Sequence, residues 1–301
     1  MPIHLPPLSR RRFLRSTLAA GAAAVLPGRA AGAEPAIDPN RVALLADTHV
    51  WADPQRVHHG IRSVETATAA CRQIRALDPL PAHMIIAGDC AADAGEPGDY
   101  VTLGRLLKPL REAGVTVHLV LGNHDHRENF YAAFPESRPE GKPAVEGKHT
   151  GVVATPRADV VLLDSLDKTN VAPGLVGEAQ RAWLGKTLDA GEKPAVVVAH
   201  HNPDWRETPR TLVDTAAVFD TLLPRRRAKA YAFGHSHAWW YRKREDVHCV
   251  NVPAVAWLFD KTSPRGWLDV HLETDGARFV LQTVDESDAR HGQTDRLAWR
   301  M

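Results

Sequence analysis

The stretch Val42-Ala43-Leu44-Leu45-Ala46-Asp47-Thr48-His49 decides how the rest of the chain is read: five apolar residues run straight into an aspartate and a histidine. A run that is apolar at every position, rather than at alternate ones, belongs to a strand buried on both faces. The same arrangement recurs along the chain. Residues 84–87 run into Gly88-Asp89, 115–121 into Gly122-Asn123-His124-Asp125, 195–199 into His200-His201, and 230–233 into Gly234-His235-Ser236-His237. Two more apolar runs, 160–163 and 247–252, carry no such motif.

Helix-like stretches at 61–77, 99–113, 177–190 and 212–222 lie between these strands, and the second stops at Gly114 as a C-terminal glycine cap would. Near the end, residues 267–273 and 277–284 flank Thr274-Asp275-Gly276, a hairpin signal with Asp-Gly in the turn. Strand–helix alternation with added hairpins predicts a layered α/β fold, two sheets packed face to face with helices outside. In such folds the loops leaving the C-terminal strand ends share one crevice, so all five motifs are expected to meet.

What they would bring together is a ligand set for two metal ions: Asp47, Asp89 and Asn123 with His49, His235, His237 and one of His200 and His201. Mixed nitrogen and oxygen donors suit Zn, Mn or Fe, whereas all-oxygen sites favour Mg or Ca. None of the cysteines, Cys71, Cys90 and Cys249, is spaced to be a ligand. Asp89 is the natural bridging carboxylate, a single aspartate at a tight turn where Gly88 lets the backbone approach closely. Asp47 and His49, two apart in an extended chain, would point the same way. Asn123 donates a neutral oxygen, which leaves its metal a stronger Lewis acid. Two metals about 3.5–4 Å apart can clamp the oxygens of an in-line phosphoryl displacement and activate a water.

The first residues read differently. Ser9-Arg10-Arg11-Arg12-Phe13-Leu14-Arg15, an apolar stretch over 16–26, and Ala31-Gly32-Ala33 form an n-region, an h-region and an A-x-A cleavage site, with the arginine pair of a twin-arginine signal. The apolar stretch of 11 residues is too short for the roughly 20 that cross a bilayer, so no stable membrane anchor is expected. Cleavage is expected after Ala33, leaving residues 34–301 as one large domain in the periplasm or secreted, with the twin-arginine export machinery as a partner. Loss of residues 1–33 lowers Lys+Arg from 37 to 32 against 36 Asp+Glu, and this acidic balance leaves no nucleic-acid footprint. The basic run Arg225-Arg226-Arg227-Ala228-Lys229 reads as a solvated turn before a strand. An odd cysteine count excludes a disulfide-dense scaffold, and the length supports a hydrophobic core instead.

In order, D-x-H, G-D, G-N-H-D, H and G-H-x-H resemble the calcineurin-like metallophosphoesterases, over about residues 41–253 with C-terminal strands in 254–301. Gly95, Tyr100, Arg127, the Gly177…Gln180…Trp183-Leu184 helix and the double histidine are similar to the bacterial class III cyclic-nucleotide and glycerophosphodiester phosphodiesterases. The resemblance implies a four-layer α/β/β/α sandwich of two mixed sheets. It implies a phosphoesterase, a phosphodiesterase in preference to a phosphomonoesterase, that hydrolyses small phosphoesters by in-line attack of metal-bound hydroxide. One metal would take Asp47, His49, Asp89 and His237, the other Asp89, Asn123, His200 and His235. His124 would face the phosphate as a catalytic group, and Asp125 would orient His124.

Among the remaining expectations, Asn123, His124, Arg127 and His201 are candidate substrate contacts, Arg127 either forking onto a phosphate oxygen or lying solvated. His126 and His200-His201-Asn202-Pro203 depart from the subgroup's usual His-to-Asp and Pro-Pro patterns, which leaves substrate preference and the choice within the histidine pair open. Trp183 and Trp267 read as core fillers, Trp239-Trp240-Tyr241 as buried or pocket-lining, His58 and His59 as loop residues, and 204–210 as a rim. A non-catalytic scaffold would be expected to have lost ligands, and here every position is filled. No G-x-S-x-G elbow supports a serine hydrolase.

Overall fold

In the computed structural model, residues 35–205 and 210–301 are described, and the export signal expected over 1–33 lies outside them. Two six-stranded mixed sheets form the centre. The first runs in the order β12-β11-β10-β1-β2-β3, from β1 (Ile37–Leu45), β2 (Leu80–Ala87), β3 (Thr116–Val120), β10 (Gly266–Leu272), β11 (Gly276–Thr283) and β12 (Thr294–Ala298). The second runs β4-β5-β6-β7-β9-β8, from β4 (Gly151–Ala154), β5 (Asp159–Leu162), β6 (Ala195–Val198), β7 (Ala228–Phe233), β8 (Trp240–Arg244) and β9 (Val247–Asn251).

Side-chain alternation explains why the strands are apolar throughout. Val42 and Leu44 point between the sheets to meet Val160, Val196, Val198 and Leu268, while Ala43 and Leu45 point the other way. There they meet α1 (Ser63–Arg75), α2 (Pro97–Glu112) and α3 (Arg127–Ala133) through Ala67, Ile74, Leu103, Leu107 and Phe130. On the far side, Val161, Val197, Tyr231 and Phe233 pack on α4 (Glu178–Ala190) and α5 (Thr215–Leu222) through Leu184, Leu188, Val218 and Phe219. Both faces of the central strands are therefore dry, which is the expected α/β/β/α layering.

The expected strands and long helices are all present, with ends shifted by a few residues. Three strands not foreseen, β4, β8 and β12, are all at sheet edges, where one side of the strand meets solvent and the apolar run is broken. The C-terminal strands complete the first sheet: β10 pairs antiparallel with β1. Trp267 is fully buried and Trp183 packs against the α4 side, as fillers do. Trp239 and Tyr241 pack on the inter-sheet core, and Trp240 on the α4–α5 side. The basic run forms the expected turn before β7, but its side chains are tied to partners distant in sequence, Arg225 to Asp189, Arg227 to Asp159 and Lys229 to the Arg300 carbonyl.

One buried ion pair fastens β1 to β10. Arg41 donates Nε to Asp269 Oδ1 at 2.8 Å and Nη2 to Oδ2 at 2.6 Å, with a third bond from Nη1 to the Pro79 carbonyl at 2.5 Å. Burial alone would raise the Asp269 pKa, but the hydrogen bonds from Arg41 and His271 outweigh it and lower it. This contribution is thus fully present above the ordinary carboxylate pKa of about 3.9 and fades as pH falls through the native value. Arg41→Ala is expected to cost about 3–5 kcal/mol at neutral pH, because it strands a buried carboxylate, and less in acid where Asp269 can take a proton. Urea denaturation at pH 7 and pH 4 checks this, and equal stability of wild type and variant at pH 7 contradicts it.

Candidate metal centre

β1, β2 and β3 are mutually parallel, as are β5, β6, β7 and β9, so the five motif loops leave the same ends of the two sheets. Backbone bonds tie them: Asp47 N to the Gly88 carbonyl at 3.1 Å, His49 N to that of Asp89 at 2.9 Å, and Gly234 N to that of His200 at 3.0 Å. The two sheets are joined here as well, since His235 N donates to both Asp47 carboxylate oxygens at 3.1 Å.

All five motifs converge. His49 Nε2 lies 3.2 Å from His237 Nε2, His237 Nε2 is 3.3 Å from Asp47 Oδ1, and Asp89 Oδ2 is 3.6 Å from His49 Nε2 and 3.2 Å from His200 Nε2. Asn123 Oδ1 is 3.3 Å from His200 Nε2. Asp47, His49, Asp89, Asn123, His200 and His237 are all buried, and His124 and His235 half-buried. Two groupings meet at Asp89, one with Asp47, His49 and His237 and one with His200, while His235 groups with His200 and His201.

Hydrogen bonds to main-chain carbonyls fix which ring nitrogen of each histidine is free. A carbonyl can only accept, so the ring nitrogen facing it carries a proton, and in the neutral ring the other keeps its lone pair. His200 Nδ1 donates to Ala87 at 2.9 Å, His237 Nδ1 to Trp257 at 2.7 Å, His235 Nε2 to Arg210 at 2.6 Å, and His124 Nδ1 to Asp93 at 2.6 Å. The lone pair of His200 Nε2 therefore faces the Asp89 carboxylate, and that of His237 Nε2 faces Asp47. Each approach, at 3.2 and 3.3 Å, therefore calls for positive charge between nitrogen and carboxylate, a metal ion or a second ring proton.

Charge leads to the same conclusion. Burial would lower the His200 pKa, yet Asp89 drives it up to about 9; burial would raise Asp89, yet His200 holds it well below the carboxylate range. His237 is raised in the same manner against Asp47. His235, buried beside His200, drops to about 4, and burial holds His49 and His201 well below the ordinary imidazole value, so these three remain neutral donors. The donor set thus fits two cations.

Three motif glycines make room for these ligands. A Cβ on Gly88 would sit 2.5 Å from the His200 ring, one on Gly122 2.2 Å from Asp89 Oδ1, and one on Gly234 2.4 Å from Asp47 Oδ2. The candidate ligands themselves hold unusual backbone: Asp47, His49, Asp89, His235 and His237 have φ between 41° and 66°. Asp47 and His49 are thus left-handed rather than extended, and it is this tight turn, not strand periodicity, that aims both side chains inward.

Several residues are placed otherwise than the sequence suggested. Asp125 does not reach the His124 ring; its carboxylate accepts from Gly122 N, Cys90 N, Ala91 N and Tyr100 Oη at 2.8–3.1 Å, locking the second motif loop to the third. Burial and the nearby Asp89 push its pKa up to about 6. The Asp93 carbonyl orients His124 instead. Arg127 forks onto buried Asp164 at 2.8 and 3.0 Å and onto the Leu166 carbonyl, away from the cavity lining. His126 caps α3, accepting from Asn129 N. His201 is buried, its Nδ1 2.8 Å from Ser165 Oγ, in space left by Gly174.

A cavity of about 390 Å³ opens over the cluster, lined by His49, Asp89, Asn123, His124, His235 and His237 and further by Asn202, Arg210, Trp257 and Phe259. Arg210 lies at the end of the rim expected over 204–210, whereas Trp257 and Phe259 were not anticipated. Trp257 packs its ring 3.9 Å from His49 and 4.7 Å from His58, and His59 stacks on it at 5.1 Å, so that loop is part of the site's wall. The rim expected over 204–210 falls in part on residues 206–209, outside the described residues.

Residues 40–239 match the family described as calcineurin-like phosphoesterase. The chain belongs to that family. It is a metal-dependent phosphoric ester hydrolase with a dinuclear centre. Among curated relatives of this phosphoesterase, a probable cyclic nucleotide phosphodiesterase of Synechococcus is 25% identical, covering 83% of this chain and 94% of its own. A 3′,5′-cyclic adenosine monophosphate phosphodiesterase of Pseudomonas aeruginosa is 28% identical over 81% of this chain and 91% of its own. A dimetal phosphatase from Danio rerio shares the fold, with a TM-score of 0.67 and 14% identity, covering 87% of this chain and all (100%) of that one. Residues 7–27 match the twin-arginine translocation signal, so the phosphoesterase carries an export signal.

Of the three glycines, Gly122 tests the close packing most cleanly, since its backbone is not left-handed and only space is at stake. Gly122→Ala is expected to keep its circular dichroism spectrum but to weaken metal binding by about 10–100-fold, the usual cost of disturbing a ligand's support. Unchanged affinity in a competitive chelator titration contradicts this geometry.

Proposed function

We propose that this exported phosphoesterase is a phosphodiesterase acting on small phosphodiesters, cyclic nucleotides among them. The observation that carries the metal assignment is the pair of acceptor-to-acceptor approaches, His200 to Asp89 and His237 to Asp47, each with the histidine tautomer fixed by a carbonyl. The names of the Synechococcus and Pseudomonas relatives support the diester. In this reading one ion takes Asp47, His49, Asp89 and His237, and the other Asp89, Asn123, His200 and His235, with Asp89 bridging. His200 is favoured over His201 because it alone of the pair approaches both Asp89 and Asn123. The donor chemistry suits Fe, Mn or Zn. When bound, such ions activate a water and stabilise the charge on the phosphoryl oxygens.

The chain's own residues do the rest. His124 lines the cavity with Nδ1–H held by the Asp93 carbonyl, so its Nε2 is the nitrogen that would take up a proton and, as imidazolium, hand it to the leaving oxygen. Asp125 keeps that loop in register by clamping the main-chain N–H groups of Cys90, Ala91 and Gly122. Arg210 is the one cation among the described lining residues, and it takes the phosphate-binding role first considered for Arg127. His201 supports the wall behind His200 and His235, its ring 4.9 and 4.6 Å from theirs.

Mature protein taken from the periplasm, beginning at Glu34 if the signal is cut after Ala33, is the material for the test. It should hydrolyse cyclic AMP and bis-(p-nitrophenyl) phosphate in preference to p-nitrophenyl phosphate; the reverse preference makes it a phosphomonoesterase. His124→Ala should lose roughly 10²–10⁴ in rate while keeping its metal, and Asp89→Ala should lose both activity and metal. Near-normal turnover in Asp89→Ala contradicts the bridging role, and metal loss in His124→Ala makes that residue a ligand.

A further inference from the structure

The chain that leaves β9 and returns as β10 is anchored on both sides of its tip. Val255 N and Ala256 N donate to the Ala46 and Asp47 carbonyls, both at 3.0 Å, and His237 Nδ1 holds the Trp257 carbonyl at 2.7 Å. Beyond the tip, Arg265 Nε donates to the Ala256 carbonyl at 2.5 Å and Arg290 Nη1 to that of Thr262 at 2.6 Å, while Ser263 N closes a turn on the Asp260 carbonyl at 3.0 Å. Phe259 sits at that tip with 68% of its surface exposed. Exposing a phenylalanine forgoes about 1.5–3 kcal/mol of burial. The ring lines the reaction cavity with its centroid 4.6 Å from His237.

Trp257, the other aromatic of the wall, cannot serve an incoming ring. It is 7% exposed, covered by His49, His58 and His59. Among the described lining residues, Phe259 is thus the aromatic side chain that remains open, on a loop anchored on both sides beside the reacting centre. The cavity is aromatic beside His237 and polar beside His235, where the Arg210 carbonyl accepts from the histidine ring. A substrate matching that contrast carries a phosphodiester next to one planar, apolar-faced group.

We infer that Phe259 is the specificity-determining residue of the site, stacking on the nucleobase of a cyclic nucleotide; this rests on the diesterase reading above. Stacking a base on an aromatic side chain is sequence-tolerant, because every base has a π-face, so purine and pyrimidine cyclic nucleotides are all accepted. Glycerophosphodiesters, with no ring to stack, are cleaved less efficiently.

The experiment compares two substrates that differ only in the base: cyclic AMP and the abasic 1-O-methylribose 3′,5′-cyclic phosphate. The metal-loaded mature enzyme should favour cyclic AMP in kcat/KM by about tenfold or more, carried by KM. In Phe259→Ala that ratio should fall towards one, and in Phe259→Tyr it should be retained, since the stacking face is kept. A purely structural effect of the alanine lowers both substrates alike and leaves the ratio unchanged. An unchanged ratio in Phe259→Ala, or a wild type with no preference for the base, overturns the assignment. A wild type that cleaves p-nitrophenyl phosphate but neither cyclic phosphate instead removes the diesterase reading on which it stands.

Discussion

Everything at this site depends on Asp89. Its carboxylate is buried within 3.2–3.6 Å of two imidazole nitrogens, and its second oxygen accepts from His124 N at 2.8 Å. A buried anion is costly unless positive charge stands beside it. Here the carbonyls of Ala87 and Trp257 remove the simplest remedy, a neutral histidine turning its N–H towards the carboxylate, from both His200 and His237. What remains is a strong demand for cations at two neighbouring points, and the fold supplies it before any substrate arrives.

The fold meets that demand through backbone rather than side-chain packing. Parallel strands in two stacked sheets bring five loops to one edge. The loops then cross-brace, Asp47 to Gly88 within one sheet and His235 to Asp47 between sheets. Five candidate ligand residues hold φ values that side-chain-bearing residues adopt rarely, and each such residue costs of order 1–3 kcal/mol. That strain persists because the dry layers behind the loops over-determine their ends. Asp125 works in the same sense: four donors converge on a carboxylate that touches no candidate ligand side chain, so the second and third motifs move as one piece.

The sequence made the central strands and the ligands legible for one shared physical reason. A strand dry on both faces must be apolar at every position, so the polar residues that end it stand out, and Asp47, Asp89, Asn123, His200 and His235 all lie at such ends. Edge strands such as β8, with Arg242 and Lys243 exposed, carry no such contrast. The direction of a side chain at a left-handed residue could not be read either, because Asp47-Thr48-His49 looks the same in extended and turned backbone. Asp125 and Arg127 sat beside the right motif, but their partners, the 90–91 amides and Asp164, lie far along the chain or on the main chain. Trp257 and Phe259 were invisible for a related reason: Trp257 meets the site through a carbonyl and a ring packed on His49, and Phe259 through exposure, contacts that only the folded loop defines.

The most direct measurement is the metal stoichiometry of the natively exported protein, by mass spectrometry of the intact holoenzyme together with elemental analysis. Two ions per chain are predicted, falling together when Asp89 is replaced by alanine. A wild-type chain that carries a single ion, or that keeps one tightly bound ion at full occupancy once Asp89 is gone, would contradict a centre built around one shared carboxylate.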